Sequence, residues 1–596
     1  MIPERLSALR AVMKKRGVTC YLVPTSDFHE SEYVGDYFKA RKYITGFSGS
    51  AGTAVITPDE AGLWTDGRYF LQAEAQLQGT GVTLYKMGEE GVPTVPEFLR
   101  ERLVPGGKLA FDGRVVNLSL YESLVSLAKA RGAEVAAGED LIDLVWRDRP
   151  ALSHRPLYLL EDRLTGRTAR EKIEDVRRAI REKDASVHLL TSLPDIAWLL
   201  NLRGDDVAYS PVFLSYLALT GEECLLFVQD EALSPAIREY LASAGVEIRP
   251  YESFYAYAAS LPEDARVLLD PGVVNARIGI SLPPSARLIR AENPTVLMKA
   301  VKNPVEMANT RAAHLKDAVA MTKFMIWLKT NVGKITMTEI SAADHLEELR
   351  RAEEGFIELS FSTIAGYGPH GAIIHYGATP ETDVPLKAEG LLLVDSGGHY
   401  QEGTTDITRT FALGPVTGEM KRDFTRVLIG HLNLAAARFP HGVSGLNLDV
   451  LARLPLWEED LDYKHGTGHG VGHILNVHEG PNAFRWRLTP GRNESAVLEE
   501  GMITSDEPGL YLEGKYGIRT ENELLCRRGE KNEYGQFLYF ENLTLVPYDL
   551  DAVEPSLLTF RDRERLNAYH AEVREKVSPF LTPEEREVLK AYTRAI

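Results

Sequence analysis

Hydrophobic and polar positions along the N-terminal part of the chain alternate between helical periodicity and short apolar runs. Residues 1–17 have the spacing of an amphipathic helix, whereas the apolar runs at 21–24 and 53–57 are typical of strands. The glycine-rich GFSGSAG at 46–52 predicts a turn between ordered elements. Together these patterns predict an α/β domain over residues 1–154.

The stretch from 155 to 299 repeats this order of elements. HLLTSLPDIAWLLNLRG at 188–204 indicates a strand, a turn and a helix. SYLALTGEECLLFV at 215–228 indicates two strands joined by a turn, as TAVITPDEAGLWTD does at 53–66. We interpret this stretch as a second copy of the first fold. Two unrelated α/β units with similar patterns are the alternative.

From residue 300 the pattern changes to helices that alternate with paired strands. A long helix is predicted near Pro304, a residue that suits a first helical turn. The apolar side chains that share one face of this helix are Ala308, Ala312, Leu315, Val319 and Ile326. Up to residue 548 the pattern predicts an α+β domain with an antiparallel sheet that carries helices.

The C-terminal stretch 549–596 is predicted to end in two amphipathic helices. Residues at helical spacing in the first of them are Leu566, Tyr569, Val573 and Val577. We therefore expect this stretch to pack against the preceding domain as a helical extension.

Composition restricts the class of protein without specifying its fold. The 596 residues are enough for several cores at about 150 residues per domain. The net charge of −18 argues against a nucleic acid or an anionic membrane as partner, because both require a basic face. Three scattered cysteines, and the lack of an apolar leader or membrane-length run, predict a cytoplasmic protein without disulfides.

Two aspartates flank a glycine-containing turn between apolar strands. The segment 391–411 predicts a hairpin in which Asp395 ends the first strand and Asp406 opens the second. Facing carboxylates with apolar flanks repel each other and are poorly solvated, so such a pair requires a cation or a shared proton. Either aspartate alone would be interpreted as an ordinary turn residue.

A similar arrangement of acids follows at 502–526. Glu507 comes after one predicted strand, with Asp506 beside it, and Glu521 lies within the next strand. If the two hairpins face each other, four acids converge on one cavity. Glu507 alone would be interpreted as a surface acid.

Four histidines lie in the segment between the two hairpins. They are His465, His469, His473 and His478. The spacing of the first three would align them on a helix, as in HExxH metalloproteases. The intervening glycines, and the lack of a glutamate after the first histidine, argue against a helix. We predict an extended segment that brings one or two imidazoles to a site.

One histidine with four carboxylates is an oxygen-rich set of metal ligands. It suits manganese, and also cobalt or zinc, better than an ion that prefers thiolates. Four ionised carboxylates balance the charge of two divalent cations, which favours a dinuclear centre with a bridging hydroxide. The prediction depends on the whole set, since each member alone has an ordinary structural interpretation.

The motifs that carry these residues resemble those of a known family. VDSGGHYQEGTTDITRT, HGTGHGVGHILNVHEGP, TSDEPG and GIRTEN closely resemble the catalytic motifs of the Xaa-Pro aminopeptidases (aminopeptidase P). SEYVGDYFKARKYITGFSGSAGTAVITPDEAGLWTDGRYFLQA, MKAVKNPVEM and GPHGAIIHYGATPET are similar to the long, three-domain cytosolic form. The resemblance covers nearly the whole chain and is weakest between 225 and 290.

The resemblance implies two creatinase-like α/β domains followed by a pita-bread catalytic domain that binds two divalent metals, usually manganese. It assigns Asp395, Asp406, His469, Glu507 and Glu521 as ligands. Asp406 and Glu521 would bridge the ions, Asp395 would complete one ion, and His469 with Glu507 the other. It also implies a homodimer supported by the C-terminal extension, for which capping of the catalytic domain is the alternative.

The resemblance implies different roles for the remaining histidines. His375 matches a histidine that contacts the substrate, and His478 matches one expected to stabilise an oxyanion or a leaving nitrogen. His465 matches a residue expected to transfer protons. His473 and His399 acquire no role and are predicted to be structural or solvent-facing.

Four further residues are candidates for the site. Arg68 matches an arginine of the N-terminal domain that reaches the active site, whereas a pair with the nearby Asp66 is the alternative. Arg519 is predicted to orient the acids from behind, and Tyr511 to line the site. Glu507, besides binding metal, is expected to move a proton.

These assignments predict a metal-dependent aminopeptidase that hydrolyses the bond between any N-terminal residue and a following proline in peptides. The nitrogen of that amide carries no hydrogen, so proteases that require a hydrogen-bond donor at the bond to be cleaved hydrolyse it poorly. A prolidase limited to Xaa-Pro dipeptides is one alternative, although it typically lacks the additional middle domain. A non-catalytic peptide-binding relative is another, and the five intact ligand positions argue against it. A creatinase-like hydrolase is disfavoured by the long N-terminal match.

Overall fold

The computed structural model describes residues 1–488 and 494–596. The chain forms two compact units. One unit contains 1–160 and 167–295, and the other contains 161–166 and 296–596. Among the described residues, no helix is both long enough and apolar enough to cross a membrane.

Helices and strands are numbered in chain order. The helices are α1 (Ile2–Arg16), α2 (Ala40–Thr45), α3 (Phe70–Leu77), α4 (Val95–Arg102), α5 (Leu118–Ala130), α6 (Asp162–Thr165), α7 (Ala169–Glu182), α8 (Leu193–Leu200), α9 (Pro235–Ala244), α10 (Phe254–Ala259), α11 (Ala276–Ser281), α12 (Pro294–Ala300), α13 (Pro304–Asn331), α14 (Glu339–Arg351), α15 (Gly418–Ala435), α16 (Gly445–Leu448), α17 (Val450–Trp457), α18 (Phe560–Val577) and α19 (Pro583–Tyr592).

The strands are β1 (Cys20–Pro24), β2 (Thr53–Ile56), β3 (Ala61–Thr65), β4 (Thr83–Lys86), β5 (Lys108–Ala110), β6 (Glu134–Ala136), β7 (Tyr158–Leu159), β8 (Val187–Leu190), β9 (Leu202–Arg203), β10 (Ser215–Thr220), β11 (Cys224–Val228), β12 (Glu247–Pro250), β13 (Arg266–Leu269), β14 (Arg287–Arg290), β15 (Phe356–Leu359), β16 (Ile364–Tyr367), β17 (Leu391–Ser396), β18 (Gly398–Tyr400), β19 (Gly403–Thr404), β20 (Ile407–Ala412), β21 (Arg438–Pro440), β22 (Gly468–Gly470), β23 (Glu479–Phe484), β24 (Ile503–Asp506), β25 (Gly509–Leu512), β26 (Tyr516–Arg519), β27 (Asn522–Asn532) and β28 (Gly535–Asn542).

The first unit contains two six-stranded sheets with the same topology. The strand orders are β4-β3-β2-β1-β5-β6 and β12-β11-β10-β8-β13-β14. In the first sheet, β1 is antiparallel to β2 and parallel to β5. In the second sheet, β8 is antiparallel to β10 and parallel to β13 in the same way. The second copy therefore repeats the first strand for strand, which confirms the predicted duplication.

A short repeated motif marks where the two copies meet. The pattern D-x-x-V-V-N occurs at 112–117 and again at 270–275. Each motif ends in an asparagine, Asn117 or Asn275, whose side chain accepts a hydrogen bond from the first turn of α5 or α11. The two asparagines also pair with each other as an antiparallel bridge. Equivalent helix N-termini thus contact each other within this unit.

The second unit is built on antiparallel sheets, as predicted for the α+β domain. One sheet has the order β21-β28-β27-β24-β22-β23, and another has the order β16-β17-β20. Helices α13, α14, α15 and α18 pack with β17 and β20 in one apolar core that includes Phe324, Leu346, Leu392, Phe424 and Leu566. Burial of one such side chain contributes about 1.5–3 kcal/mol. The strands β17 and β20, beside which two of the candidate acids lie, therefore pack on this core.

Helix α13 forms where predicted, but its buried face differs from the apolar face read from the sequence. The helix begins at Pro304 after the capping side chain of Asn303. Ala308 and Ala312 are exposed. Its buried residues include the polar set Thr310, His314 and Asp317, followed by the apolar Met321 and Phe324. The predicted face was correct in the second part of the helix, where Val319 belongs to the core and Leu315 and Ile326 pack against it. It was wrong in the first part, because the helix packs there against polar groups such as Glu523 and Tyr400.

The C-terminal helices agree with the predicted spacing. Leu566, Tyr569, Val573 and Val577 are all buried on α18 and belong to the core of the second unit. Their apolar face is thus covered by their own chain, which favours the capping role for this extension.

Candidate metal centre

The pairing of β17 with β20 places the two aspartates of the first predicted hairpin. Asp395 lies opposite Thr408, and Asp406 immediately precedes β20. The short strands β18 and β19 form the connection between them. Both aspartates are buried. The sequence interpretation of two acids at the ends of facing strands is therefore correct.

The second pair of acids is brought together by β24 and β27. Asp506 pairs with Asn522 across these strands, so Glu507 and Glu521 occupy adjacent positions where the strands meet. The prediction that Glu521 lies within a strand was wrong, since it immediately precedes β27 and a separate hairpin, β25–β26, comes before it. The reason is that the Glu521 N–H donates to the carbonyl of Thr408 at 3.1 Å, so at this residue the chain bonds to β20.

His469 enters this group from the extended strand β22. Metal-ligating atoms of Asp406, His469 and Glu521 all lie within 4.8 Å of one another. The His469 Nε2 atom is 3.4 Å from an Asp406 oxygen and 3.5 Å from a Glu507 oxygen. Its Nδ1 atom is 3.0 Å from the carbonyl of Gly470, and a hydrogen bond donated there directs Nε2 toward the acids.

The carboxylates retain oxygens that the protein does not satisfy. Asp395 Oδ1, Asp406 Oδ1 and Glu521 Oε1 are buried and have no hydrogen-bond partner within the described residues 1–488 and 494–596. A buried polar atom without a partner costs free energy, so it is rare in folded proteins. Three such oxygens at one place fit a cation site.

The electrostatics of the group agree with this interpretation. Burial, with repulsion from Asp406 and the other acids, raises the pKa of Glu521 well above its usual range and that of Glu507 to about 7. Burial also raises the pKa of Asp395, although Arg519 opposes it. Burial lowers the pKa of His469, but the acids outweigh it and bring the value to about 9. Divalent cations would neutralise this excess of negative charge.

Arg519, Tyr511 and His465 form a chain of hydrogen bonds beside the acids. Arg519 donates to an Asp395 oxygen at 2.6 Å and to the Tyr511 hydroxyl at 2.7 Å. The Tyr511 hydroxyl lies 2.8 Å from Nε2 of His465. The Nδ1 atom of His465 is 2.7 Å from the carbonyl of Gly466, to which it donates, so Nε2 accepts from Tyr511. Burial and the nearby Arg519 lower the pKa of His465 to about 3, which keeps the imidazole neutral.

The other histidines of this region differ in their contacts. The His478 ring packs edge-on against His469, with 4.3 Å between ring centroids. His473 is buried between the Thr310 hydroxyl and the carbonyl of Leu164, as a structural residue would be. His399 is buried in β18 and contacts the Thr404 hydroxyl.

Arg68 belongs to the first unit. Its guanidinium binds both carboxylate oxygens of Asp66, each at 2.8 Å. This pair is the alternative considered for Arg68 from the sequence, and a contact between Arg68 and substrate stays a prediction.

Four family models match successive parts of the chain, with short gaps between some of them. The metallopeptidase family M24 model matches residues 308–528. The creatinase/prolidase N-terminal domain is matched twice, over 5–145 and 148–306. The C-terminal region of peptidase M24 matches 536–596.

Several named relatives match this chain over nearly its whole length. Aminopeptidase P2 of Arabidopsis thaliana is 39% identical, covering 98% of this chain and 86% of the relative. A Coprinopsis cinerea protein named "Probable Xaa-Pro aminopeptidase P" is also 39% identical, covering 100% and 98%. The crystal structure of X-prolyl aminopeptidase from Caenorhabditis elegans, described as a cytosolic enzyme with a di-nuclear active site, matches with a TM-score of 0.94, 35% identity and full coverage of both chains.

The chain belongs to the Xaa-Pro aminopeptidases of the M24 metallopeptidase family. The two creatinase-like domains and the pita-bread catalytic domain predicted from the sequence are confirmed. A full-length match with two N-terminal domains also gives the prolidase alternative less support.

Sequence reasoning missed Glu339, which orders the segment that carries His375. The buried carboxylate of Glu339, at the start of α14, accepts hydrogen bonds from the Tyr367 N–H at 2.7 Å and the Tyr376 hydroxyl at 2.8 Å. His370 Nδ1 lies 2.9 Å from the same carboxylate. One acid therefore fixes both ends of the segment next to His375. From the sequence it looks like any acid in a first helical turn.

Replacing Glu339 by Gln is expected to raise KM for peptide about three- to tenfold in this aminopeptidase while kcat changes less. The reason is that hydrogen bonds to a charged group contribute about 1.5–3 kcal/mol, and their loss lets the His375 segment shift. Steady-state kinetics will measure both constants. Glu389→Gln is the control, because that side chain is exposed in the same region. Equal KM values for the two variants would contradict the prediction.

Proposed function

We propose that this protein is a metal-dependent aminopeptidase that removes the N-terminal residue from peptides whose second residue is proline. One observation carries the proposal. A chain that matches an X-prolyl aminopeptidase over its full length gathers Asp406, His469 and Glu521 in a buried group with unsatisfied carboxylate oxygens. The four-domain division at 154, 299 and 548 is proposed with it.

The proposed ligands are Asp395, Asp406, His469, Glu507 and Glu521, with Asp406 and Glu521 shared by two ions. Ligand atoms of Asp406 and Glu521 lie within 4.8 Å of each other and of His469, so both acids could contact the same ions. The donors are four carboxylates and one imidazole, a set that favours manganese, and it also accommodates cobalt or zinc. When bound, such ions polarise a carbonyl group and activate water.

The surrounding residues are proposed to bind substrate and move protons. Glu507, whose side chain is 18% exposed against 6% for Asp406, is the proton carrier with better access to solvent. His465 stays neutral at rest and accepts a hydrogen bond from the Tyr511 hydroxyl at Nε2, and it would pass a proton on along this contact without retaining it. His478, packed against His469, stabilises charge on the reacting amide.

Proline at the second position is the substrate feature to test. We expect metal-free protein to be inactive and added manganese to restore cleavage of Arg-Pro-Pro between its first two residues. Arg-Ala-Pro serves as the matched control, and mass spectrometry identifies the products. Cleavage of Xaa-Pro dipeptides alone would favour the prolidase alternative. Lack of cleavage with manganese, cobalt or zinc, together with lack of bound metal, would refute the proposal.

We also propose a cytoplasmic homodimer. The free cysteines Cys20, Cys224 and Cys526 are all buried, as suits a reducing compartment. An exposed apolar patch lies on the second unit, where the rings of Trp457 and Trp486 are 6.2 Å apart. Exposed apolar patches of this kind often mark protein interfaces.

Sedimentation at micromolar concentration is expected to give the mass of a dimer. Trp457→Glu should shift the equilibrium to the monomer, because it introduces a charge into a desolvated contact. Tyr534→Glu is the control, since that side chain is 77% exposed on the β27–β28 turn. A monomer in all three proteins would refute the dimer.

A further inference from the structure

A buried arginine, Arg409, lies directly behind the candidate metal ligands. It lies on β20, shortly after Asp406 in the sequence, and is 1% exposed. Among the residues that the structure describes, the acceptors that its guanidinium contacts are all neutral. They are the carbonyls of Thr408, Glu521, Val546 and Pro547, the side-chain oxygen of Asn522 and the hydroxyl of Tyr569.

Arg409 and its neighbour Thr408 hold Glu521 at two points. The guanidinium donates to the main-chain carbonyl of Glu521 at 2.6 Å. The Thr408 hydroxyl donates to a Glu521 carboxylate oxygen at 2.8 Å. Because a guanidinium has five donors in a rigid plane, a shift of Glu521 would break several of its bonds together.

The same hydrogen bonds reach the strand that carries Glu507. The Asn522 amide, which accepts from Arg409, donates to the Tyr548 hydroxyl at 2.9 Å. That hydroxyl lies 2.8 Å from Nε2 of His431, whose Nδ1 is 3.0 Å from the carbonyl of Asp506. The network therefore contacts the residues adjacent to two proposed ligands.

The C-terminal extension completes this network through Tyr569 of α18. Its hydroxyl accepts from Arg409 at 3.0 Å and lies 2.9 Å from the carbonyl of Val546. The ring of Tyr569 stacks on Tyr548, with 4.6 Å between ring centroids. A cap that served only to cover apolar surface would not need a buried hydroxyl at this place, because burying a polar group costs free energy.

We propose that Arg409 is a positioning residue for the metal ligands and that Tyr569 makes the C-terminal extension part of their support. The proposal rests on the ligand set given under the proposed function. Groups that hold metal ligands from behind typically contribute about 10–100-fold to metal affinity. The extension then acts on metal binding as well as covering the core.

The test compares two tyrosines of the C-terminal helices in the full-length protein. Tyr569→Phe removes the hydroxyl that contacts Arg409. Tyr592→Phe removes a hydroxyl on α19 that contacts Asp551 at 3.1 Å and no member of the network. Manganese affinity is measured by competition with a chelator, and the melting temperature is measured on the metal-free proteins.

We expect Tyr569→Phe to bind manganese about tenfold more weakly than Tyr592→Phe when both are measured well below their metal-free melting temperatures, so that folded protein is compared with folded protein. Arg409→Lys, which keeps the charge but loses the planar donors, should bind more weakly still; if it does not fold, the tyrosine pair decides. Equal manganese affinities for the two tyrosine variants would overturn this inference alone. If the unsubstituted protein binds no divalent metal, the proposed function fails, and this inference fails with it.

Discussion

Replacing Asp406 by Asn is expected to abolish metal binding and turnover together. The substitution removes the negative charge and one of the two carboxylate oxygens of a residue whose ligand atom lies within 4.8 Å of those of His469 and Glu521. A bound ion supplies several kcal/mol of transition-state stabilisation, so a loss of about 4 kcal/mol corresponds to a fall of about a thousandfold in kcat/KM.

Elemental analysis and kinetics on the same preparation will measure both effects. Asp423→Asn is the matched control, since that aspartate is buried in the same unit but binds the Tyr516 hydroxyl at 2.8 Å. The control should keep its metal and most of its activity. If Asp406→Asn retained both metal and turnover, the ligand assignment would be refuted.

Replacing Arg519 by Met is expected to lower the free energy of unfolding of the metal-free protein by about 3–5 kcal/mol. The substitution leaves Asp395 buried without its cation and removes a donor to Tyr511, and breaking a buried pair typically has this cost. Urea unfolding with and without manganese measures the change. Added metal should recover part of the loss, because a divalent ion neutralises Asp395 and binds only the folded state.

Arg453→Met provides the comparison for that experiment. Arg453 is equally buried and pairs with Asp449 at 2.7 Å, outside the proposed ligand set. Its loss should destabilise the protein by a similar amount, and manganese should restore no more stability than it adds to the unsubstituted protein. An identical response of the two variants to manganese would show that Arg519 has no specific relation to the metal site.

Local patterns predicted most of the fold. Strands at 21–24 and 53–57, the helix from Pro304 and the C-terminal helices all formed, since each depends on periodicity and capping within a few residues. The duplication was predicted from loosely similar segments, although the repeated D-x-x-V-V-N motif is a sharper signal. The buried face of α13 could not be read from apolar spacing, because polar groups distant in sequence cover it.

In the candidate site, too, residues within a local sequence motif could be predicted, whereas residues whose role depends on partners far along the chain could not. The acids were predictable because each lies at a strand end in a recognisable motif. Glu339 and Arg409 were not, because their importance depends on partners far along the chain, such as Tyr376 and Tyr569. A lone acid at a helix start, or an arginine within a strand, has no distinguishing pattern until the sheets and helices have assembled.

The order in which the acids and His469 appear along the chain has a consequence for biogenesis. The candidate ligands lie on or immediately beside β17, β20, β22, β24 and β27, so they come together only when these strands have paired. Non-local pairing of this kind forms late in folding. The complete set of candidate ligands would therefore become available to ions only after these strands have paired in a newly made chain.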